Sequence, residues 1–125
     1  MRKMNVLLVD DNPLFLTMAR AVIAALPGVD RIECVNSGAE ALLRAGKSRP
    51  DLVLTDITMP NMSGFELIRG LRARDNPPSV VGLTQHDSPQ YRAAALRLGA
   101  QDLIAKHELR AAIPELISSL AGEAG

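Results

Sequence analysis

The sequence predicts an α/β fold in which helices cover a parallel β-sheet, and two observations support this prediction. Five short runs rich in Val, Leu and Ile recur along the 125 residues, and each is followed by a segment with helical spacing. This alternation is typical of βα units built around a parallel sheet. Apolar residues make up 47% of the chain and aromatic residues only 2%, so the core is expected to be aliphatic, as in strands buried on both faces.

The five predicted strands are the short apolar runs themselves. In chain order they read MNVLLV, RIECV, DLVLT, SVVGLT and QDLIA. The third run ends on a lone aspartate, Asp56. A buried carboxylate is costly unless something pairs with it, so this position indicates a functional group that needs a partner.

Helix boundaries are marked by capping residues and glycines. Four starts carry a Ser or Asn cap, followed by Pro or by Glu three residues on: Asn12-Pro13, Ser37 with Glu40, Ser63 with Glu66, and Ser88-Pro89. Three ends carry glycine: Pro27-Gly28, Gly46 and Gly99. These signals predict four helices, with a fifth near the C-terminus: 13–26, 38–46, 64–74 and 89–98.

The last predicted helix combines an apolar stripe with an internal proline. The stripe consists of Leu109, Ile113, Leu116, Ile117 and Leu120. Pro114 has no N–H to donate and clashes with the carbonyl four residues earlier if it lies inside a helix. Two alternatives stay open at this point: the helix begins close to Pro114, or it bends there.

Composition argues against several classes of protein. Lys plus Arg equals Asp plus Glu at 14 each, so the chain lacks the broad positive field that sequence-independent nucleic-acid binding requires, and no direct nucleic-acid binding is expected. The single Cys34 offers no disulfide or metal spacing and is expected to be a small buried apolar residue. No apolar run approaches the roughly 20 residues that span a bilayer, and the start lacks a secretory segment. One soluble, cytoplasmic domain over residues 1–125, with no membrane contact, is expected.

Polar side chains collect at the carboxyl ends of the predicted strands, where open parallel sheets bind ligands. They are Asp10 and Asp11 after the first strand, Asp56, Thr84 and Lys106 at the ends of the third, fourth and fifth. Three converging carboxylates repel one another unless a cation is present, and carboxylate oxygens with water suit Mg²⁺. An ammonium group and a hydroxyl can hold phosphoryl oxygens. The set therefore predicts a site for a metal and a small tetrahedral oxyanion.

Each of these residues has a simpler interpretation when taken alone. An isolated Asp10 or Asp11 would be a helix cap, but Asn12 already occupies that position. Thr84 would be an ordinary strand end, and Lys106 a solvated one. Their joint placement on one edge favours the site. The same edge holds two histidines that lack a partner at defined spacing and are interpreted as solvated or structural: His86 and His107.

Over essentially its full length the chain resembles a response regulator receiver domain. The resemblance rests on VLLVDDNP with its paired acids, on the pattern D-x-x-M-P-x-x-x-G in DLVLTDITMPNMSG, on Thr84, and on LGAQDLIAK ending in lysine. Any one piece is weak, and the combination is specific. The resemblance implies a single doubly wound, flavodoxin-like sheet of five parallel strands in the order 2-1-3-4-5, with helices on both faces.

The resemblance also implies a phosphorylation switch. Asp56 would accept a phosphoryl group from a sensor histidine kinase or a histidine phosphotransfer protein. Lys106 would contact that group, and Thr84 would follow it as the switch residue. The chain would be no enzyme beyond catalysing its own phosphorylation and dephosphorylation. Four residues would organise Mg²⁺: Asp10, Asp11, Asp56 and, through its backbone carbonyl, Thr58.

Three positions depart from the family pattern. The residue three before the lysine is usually aromatic and here is Leu103. The residue after the lysine is often proline, commonly after a cis bond, and here is His107; a trans bond is expected because a cis bond before a non-proline costs about 3 kcal/mol. The residue after Thr84 is often small and here is Gln85. These differences bear on transmission of the signal rather than on the phosphorylation site.

Leu103 is too small to reproduce the inward swing of an aromatic side chain. The response is therefore expected to move the segment 85–92 against the fifth strand, with Tyr91 as the side chain that reports it. The fourth helix, fifth strand and last helix would form the surface for an output domain, a partner protein or a second copy of the chain.

Two other classes of protein remain as alternatives. A phosphatase-like hydrolase with an aspartyl nucleophile would need a second acid and a substrate cap, and 125 residues leave little material for a cap. A flavodoxin-like cofactor binder would need a Gly- or Ser/Thr-rich phosphate cradle and aromatic residues beside the cofactor. The cognate kinase, the type of output and the oligomeric state stay open.

Overall fold

Five parallel strands form a single sheet in the computed structural model, which describes residues 3–86 and 88–124. The strands are β1 (Met4–Val9), β2 (Val29–Val35), β3 (Leu52–Asp56), β4 (Ser79–Thr84) and β5 (Asp102–Ala105). Their order across the sheet is β2-β1-β3-β4-β5, and every neighbouring pair is parallel. The predicted doubly wound α/β fold and its strand order are confirmed.

Helices connect the strands and begin at the predicted caps. Those within the described residues are α1 (Pro13–Ala24), α2 (Gly38–Ser48), α3 (Gly64–Arg72), α4 (Pro89–Arg97) and α5 (Leu109–Ala124), with a 3₁₀ turn at Lys106–Glu108. Each of the first four helices has a cap whose side chain accepts from the first turn: Asn12, Ser37, Ser63 and Ser88. Ser63 with Glu66 forms a reciprocal capping box. The observed ends differ from the predicted ones by at most two residues. The helix α2 continues past Gly46 to Ser48, because Arg49 rather than the glycine adopts the left-handed cap conformation, with φ 47°.

Helices lie on both faces of the sheet and divide the core into two layers. On one face α1 and α5 pack against strand residues such as Leu8 and Leu54, and on the other α2, α3 and α4 pack against Leu7 and Val53. All five residues of the central strand β3 are buried, including Asp56. The period-2 alternation of side chains explains why neighbouring leucines enter different layers.

The last helix contains its proline. It begins at Leu109, five residues before Pro114, so the alternative of a start close to Pro114 is wrong. Pro114 cannot donate to the carbonyl of Arg110, and this loss must be offset by packing. The predicted apolar stripe of α5 provides this packing, because all five of its side chains are buried or half-buried on the α1 side of the sheet: Leu109, Ile113, Leu116, Ile117 and Leu120.

Three smaller expectations can be compared with the structure. Cys34 packs against the α1 and α5 layer but is only half-buried, because β2 is an edge strand, so the expectation of a buried residue is wrong. No peptide bond among the described residues is cis, so the Lys106–His107 bond is trans as expected. Within the described part of the chain, no helix is both long and apolar enough to cross a membrane.

Gly64 allows the loop after β3 to fold back against the strand end. Its N–H donates to the Ile57 carbonyl over 3.1 Å. A Cβ added at residue 64 would overlap the Asp56 carbonyl oxygen and the Ile57 Cα. These are backbone atoms, which cannot move aside as a flexible side chain can. The glycine of the D-x-x-M-P-x-x-x-G pattern is therefore required by close approach to the backbone of Asp56.

Replacing Gly64→Ala should destabilise the fold by about 3 kcal/mol, because overpacking against backbone forces local displacement. The matched control is Gly122→Ala in α5, where an added Cβ meets nothing within 4 Å. That change should stabilise the chain by about 0.5–1 kcal/mol through helix propensity. Urea denaturation followed by circular dichroism measures both variants. A Gly64→Ala chain as stable as the wild type would contradict the close approach.

Candidate functional site

An open cleft of about 510 Å³ lies at the carboxyl ends of the strands. All six residues predicted for the site line it: Asp10, Asp11, Asp56, Thr58, Thr84 and Lys106. Asn12, Gln85, His86 and Tyr91 complete the lining. The parallel arrangement of β1, β3, β4 and β5 brings together residues that are up to 96 positions apart in the chain, since all four strands end at this edge.

Three carboxylates form an acidic cluster at the centre of the cleft. One oxygen from each of Asp10, Asp11 and Asp56 lies within 4.8 Å of the other two. Asp10 is 1% exposed and Asp56 6%, whereas Asp11 is exposed to solvent. Oδ1 of Asp10 accepts from the N–H of Asn12 over 2.9 Å, and Oδ1 of Asp56 accepts from the N–H of Thr58 over 3.0 Å. These bonds orient both buried carboxylates and leave their Oδ2 atoms for other partners.

The Lys106 ammonium lies between the two buried carboxylates. Nζ is 2.6 Å from Oδ2 of Asp10 and 3.2 Å from Oδ2 of Asp56, and the lysine side chain is only 10% exposed. The longer contact is a directed hydrogen bond. The shorter one is an ion pair whose angles fall outside ordinary hydrogen-bond limits. Carboxylate oxygens clustered in this way fit a hard divalent cation.

Burial and charge shift the pKa values of this pair. Burial raises the pKa of Asp10 above its ordinary 3.8; the Lys106 ammonium and the Asn12 N–H oppose this in part, and the charge of Asp56 adds to it. Burial also lowers the pKa of Lys106, but Asp10 and Asp56 outweigh this effect and hold that pKa above 10.5. Lys106 is therefore a cation at neutral pH. Its charge offsets repulsion that the acids would otherwise direct at one another.

The Thr84 hydroxyl is turned toward its own loop. Oγ1 donates to the carbonyl of His86 over 3.0 Å and accepts from the N–H of the same residue over 3.1 Å. Thr84 is 3% exposed, so the side chain forms part of the cleft wall rather than projecting into it. His86 and His107 are exposed, in agreement with their interpretation as solvated residues.

Two aromatic residues at the site were missed by the sequence interpretation. The ring centroid of Phe15, in the first turn of α1, lies 4.5 Å from Nζ of Lys106. Tyr91 of α4 lines the cleft and meets Phe65 of α3 edge to face, with centroids 5.9 Å apart. Tyr91 was predicted as a reporter of movement and not as a lining residue. For Phe15 the available signal was the Asn12 cap, which places residue 15 in the first turn above the strand ends.

A second, larger cleft lies at the opposite edge of the sheet and does not carry this chemistry. It has a volume of about 930 Å³ and is lined by residues that include Pro50, Asp51 and Arg74. None of the six predicted residues belongs to it. The distribution of charged groups, rather than the size of the cavity, therefore identifies the candidate site.

A doubly wound sheet with an acidic cluster and a lysine at the carboxyl ends of its strands is the arrangement expected of a receiver domain. The chain belongs to the response regulator receiver domain family, whose sequence model matches residues 6–118. The predicted resemblance is confirmed. The chain is therefore a receiver domain of the two-component response regulators.

Curated relatives are longer proteins that contain such a domain. The chain is 35% identical over 104 residues to the positive alginate biosynthesis regulatory protein of Pseudomonas aeruginosa. This match covers 82% of this chain and 41% of that protein. It is 35% identical over 108 residues to a protein-glutamate methylesterase/protein-glutamine glutaminase of Desulfotalea psychrophila, covering 85% of this chain and 30% of that protein. The chain thus spans less than half the length of these two relatives.

Solved structures show the same fold. The signal receiver domain of NarL from Mycobacterium tuberculosis superposes with a TM-score of 0.88 at 28% identity, covering 98% of both chains. The chemotaxis response regulator CheY4 of Vibrio cholerae superposes with a TM-score of 0.83 at 26% identity, covering 94% of this chain and 98% of that one. The receiver fold therefore accounts for almost the whole chain.

Proposed function

We propose that this receiver domain accepts a phosphoryl group on Asp56 from a sensor histidine kinase or a histidine phosphotransfer protein. The observation that supports the proposal is the convergence of two other carboxylates and the Lys106 ammonium on Asp56, at the open end of a fully buried strand. Family membership adds the same expectation. Asp56 lines the cleft at the end of β3, where a donor could approach its carboxylate.

Asp56 is the nucleophile in this proposal. One of its carboxylate oxygens attacks phosphorus, a phosphorus–oxygen bond forms, and the bond from phosphorus to the histidine nitrogen of the donor breaks. The electron pair of that bond leaves with the nitrogen. Such transfers require positioning and neutralisation of the phosphoryl oxygens more than covalent assistance. The Thr58 N–H holds Oδ1 of Asp56, and Lys106, 3.2 Å from Oδ2, provides a positive charge where the phosphoryl oxygens would lie.

Asp10, Asp11, Asp56 and the backbone carbonyl of Thr58 would hold Mg²⁺. The cluster within 4.8 Å fits that ion, which prefers oxygen ligands and keeps several waters. When bound, Mg²⁺ would neutralise carboxylate and phosphoryl charge. Asp11 is the exposed member of the cluster and could bind without first giving up a protein partner.

Thr84 is the proposed switch residue. Its hydroxyl would leave the His86 backbone and donate to a phosphoryl oxygen, which would pull the loop between β4 and α4 toward Asp56. Leu103 cannot follow as an aromatic would. It is 1% exposed, and its Cδ1 would lie only 2.8 Å from a Cβ added at Gly82, so it already fills the space beside β4.

The response is proposed to pass to the surface formed by α4, β5 and α5. Arg92 of α4 pairs with Asp102 over 2.5 Å and donates to the carbonyl of Leu103 over 2.9 Å, so α4 is bonded to β5 at two points. If the loop between β4 and α4 moves, either β5 must move together with α4 or the bonds of Arg92 to β5 must break. That surface is the proposed contact for an output domain, a partner protein or a second copy of this chain.

The chain is proposed to catalyse only its own phosphorylation and dephosphorylation, within a single domain acting in the cytoplasm. The alternative, an aspartyl-nucleophile hydrolase, would need a substrate cap, whereas the family model that matches residues 6–118 is that of a receiver domain. Intact mass separates the two functions, because one labile phosphoryl adduct supports the receiver and steady turnover of donor without an adduct supports the hydrolase.

Changing Asp56→Asn should abolish phosphorylation, because an amide is a far weaker nucleophile than a carboxylate. Incubation with acetyl phosphate and Mg²⁺ should add one phosphoryl group to the wild type and none to the variant, as measured by intact mass. The control is Asp51→Asn, which alters a carboxylate at the opposite edge of the sheet and should leave the adduct unchanged. An adduct of normal yield on the Asp56→Asn chain would refute the assignment.

Removing one proposed metal ligand with Asp11→Ala should weaken Mg²⁺ binding and slow phosphorylation. It should also relieve like-charge repulsion in the metal-free chain. Thermal melting with and without Mg²⁺ tests both effects: Mg²⁺ should raise the Tm of the wild type more than that of the variant. Equal stabilisation of the two chains would show that Asp11 is not a ligand.

Beryllofluoride, which mimics a phosphoryl group, should shift amide resonances across the segment 85–106, including Tyr91. Residue 87 in that segment lies outside the described residues. Thr84→Val keeps the shape of the side chain and removes the hydroxyl, so in that variant the perturbations should stop at the acidic cluster. Wild-type perturbations confined to the cluster would show that the chain does not signal through α4 and β5.

A further inference from the structure

The Lys106 ammonium has a third neighbour besides Asp10 and Asp56. The ring centroid of Phe15 lies 4.5 Å from Nζ, within the distance at which an aromatic face attracts a cation. The lysine side chain is only 10% exposed, so little water competes for the ammonium. A cation–π contact is stronger in such a desolvated place than at an open surface.

Four contacts link Asp10, Asn12, Phe15 and Lys106 in a closed ring of interactions beside the acidic cluster. Oδ1 of Asp10 accepts from the N–H of Asn12, and Oδ1 of Asn12 accepts from the N–H of Phe15 over 3.3 Å. The Phe15 ring meets the Lys106 ammonium, which returns to Oδ2 of Asp10 over 2.6 Å. The helix cap thus fixes the backbone of Phe15 relative to the same aspartate that the lysine contacts.

Packing accounts for only part of the position of Phe15. The residue is half-buried and packs against the layer formed by α1 and α5. Leucine or isoleucine could fill that role, and aliphatic residues dominate this core. An aliphatic side chain has no quadrupole, however, and would leave the partly desolvated ammonium against a surface that does not attract it.

We propose that Phe15 is a positioning residue for Lys106, whose ring face holds the ammonium at the cleft while it changes partners from the carboxylates to an incoming phosphoryl oxygen. This inference rests on the proposed phosphoryl transfer to Asp56. The carboxylates of Asp10 and Asp56 attract Lys106 fully only while no other group neutralises their negative charge. Any cation or phosphoryl group that engages Asp10 and Asp56 reduces their attraction for the ammonium, whereas the ring contact does not involve those oxygens.

The test compares Phe15→Leu, which keeps an apolar side chain of similar size, with Phe15→Tyr, which keeps the aromatic face. Phosphorylation by acetyl phosphate at saturating Mg²⁺ should be about threefold to tenfold slower in Phe15→Leu, the range expected from losing a cation–π contact. Phe15→Tyr should restore the wild-type rate. Leu14→Ala, at a neighbouring residue of α1 that is 81% exposed, controls for disturbance of the first turn and should leave the rate unchanged.

A second measurement does not depend on phosphorylation. The ring current of Phe15 should shift the side-chain methylene protons of Lys106 upfield in the wild type and in Phe15→Tyr, and this shift should vanish in Phe15→Leu. A Phe15→Leu chain with the wild-type rate, or a Phe15→Tyr chain as slow as Phe15→Leu, would overturn the proposal. If the wild type accepts no phosphoryl group, the proposed function fails; a methylene shift that is also absent would refute the ring contact itself.

Discussion

The ion pairs of Lys106 with Asp10 and Asp56 are the interactions on which this molecule depends. Three carboxylates within 4.8 Å would repel one another, and two of them are buried, where charge is poorly solvated. One ammonium at 2.6 Å and 3.2 Å offsets this cost without removing it, since the pKa of Asp10 is still raised. The site therefore needs positive charge, and Lys106 supplies it among the described residues.

The scaffold makes this crowding possible through the geometry of parallel strands. β1, β3 and β5 end at the same edge, so the residues that follow them meet although the sequence separates them widely. The loop after β3 folds back so closely that Gly64 packs on the backbone of Asp56, which fixes the direction of that strand end. Aliphatic layers on both faces supply the burial that holds the charged edge together.

The α/β class, the helix starts and the strand-end residues were predicted from local or periodic signals, whereas the strand order and the proposed residue roles came from the family resemblance. Caps, alternating apolar runs and strand-end acids can be read along the chain, and the structure brings all of them to the expected places. The start of α5 was different, because packing of the Leu109 stripe outweighs the local penalty of Pro114. Contacts between side chains that are distant in the sequence carry no such signal: Phe15 meets Lys106 only because the fold brings α1 and the end of β5 together. The Thr84 hydroxyl bonds locally to the His86 backbone, but this choice of rotamer is not marked in the sequence either.

The short strand β5 connects the charged site with the proposed partner surface. It has four residues, and Lys106 follows it directly at the acidic cluster. At its other end Arg92 of α4 is bonded to Asp102 and to the Leu103 carbonyl. A change in the partners of Lys106 and a shift of α4 therefore act on the same four residues from opposite ends. Such a connection needs no rotating aromatic side chain, so leucine at residue 103 is compatible with the proposed route through α4 and β5.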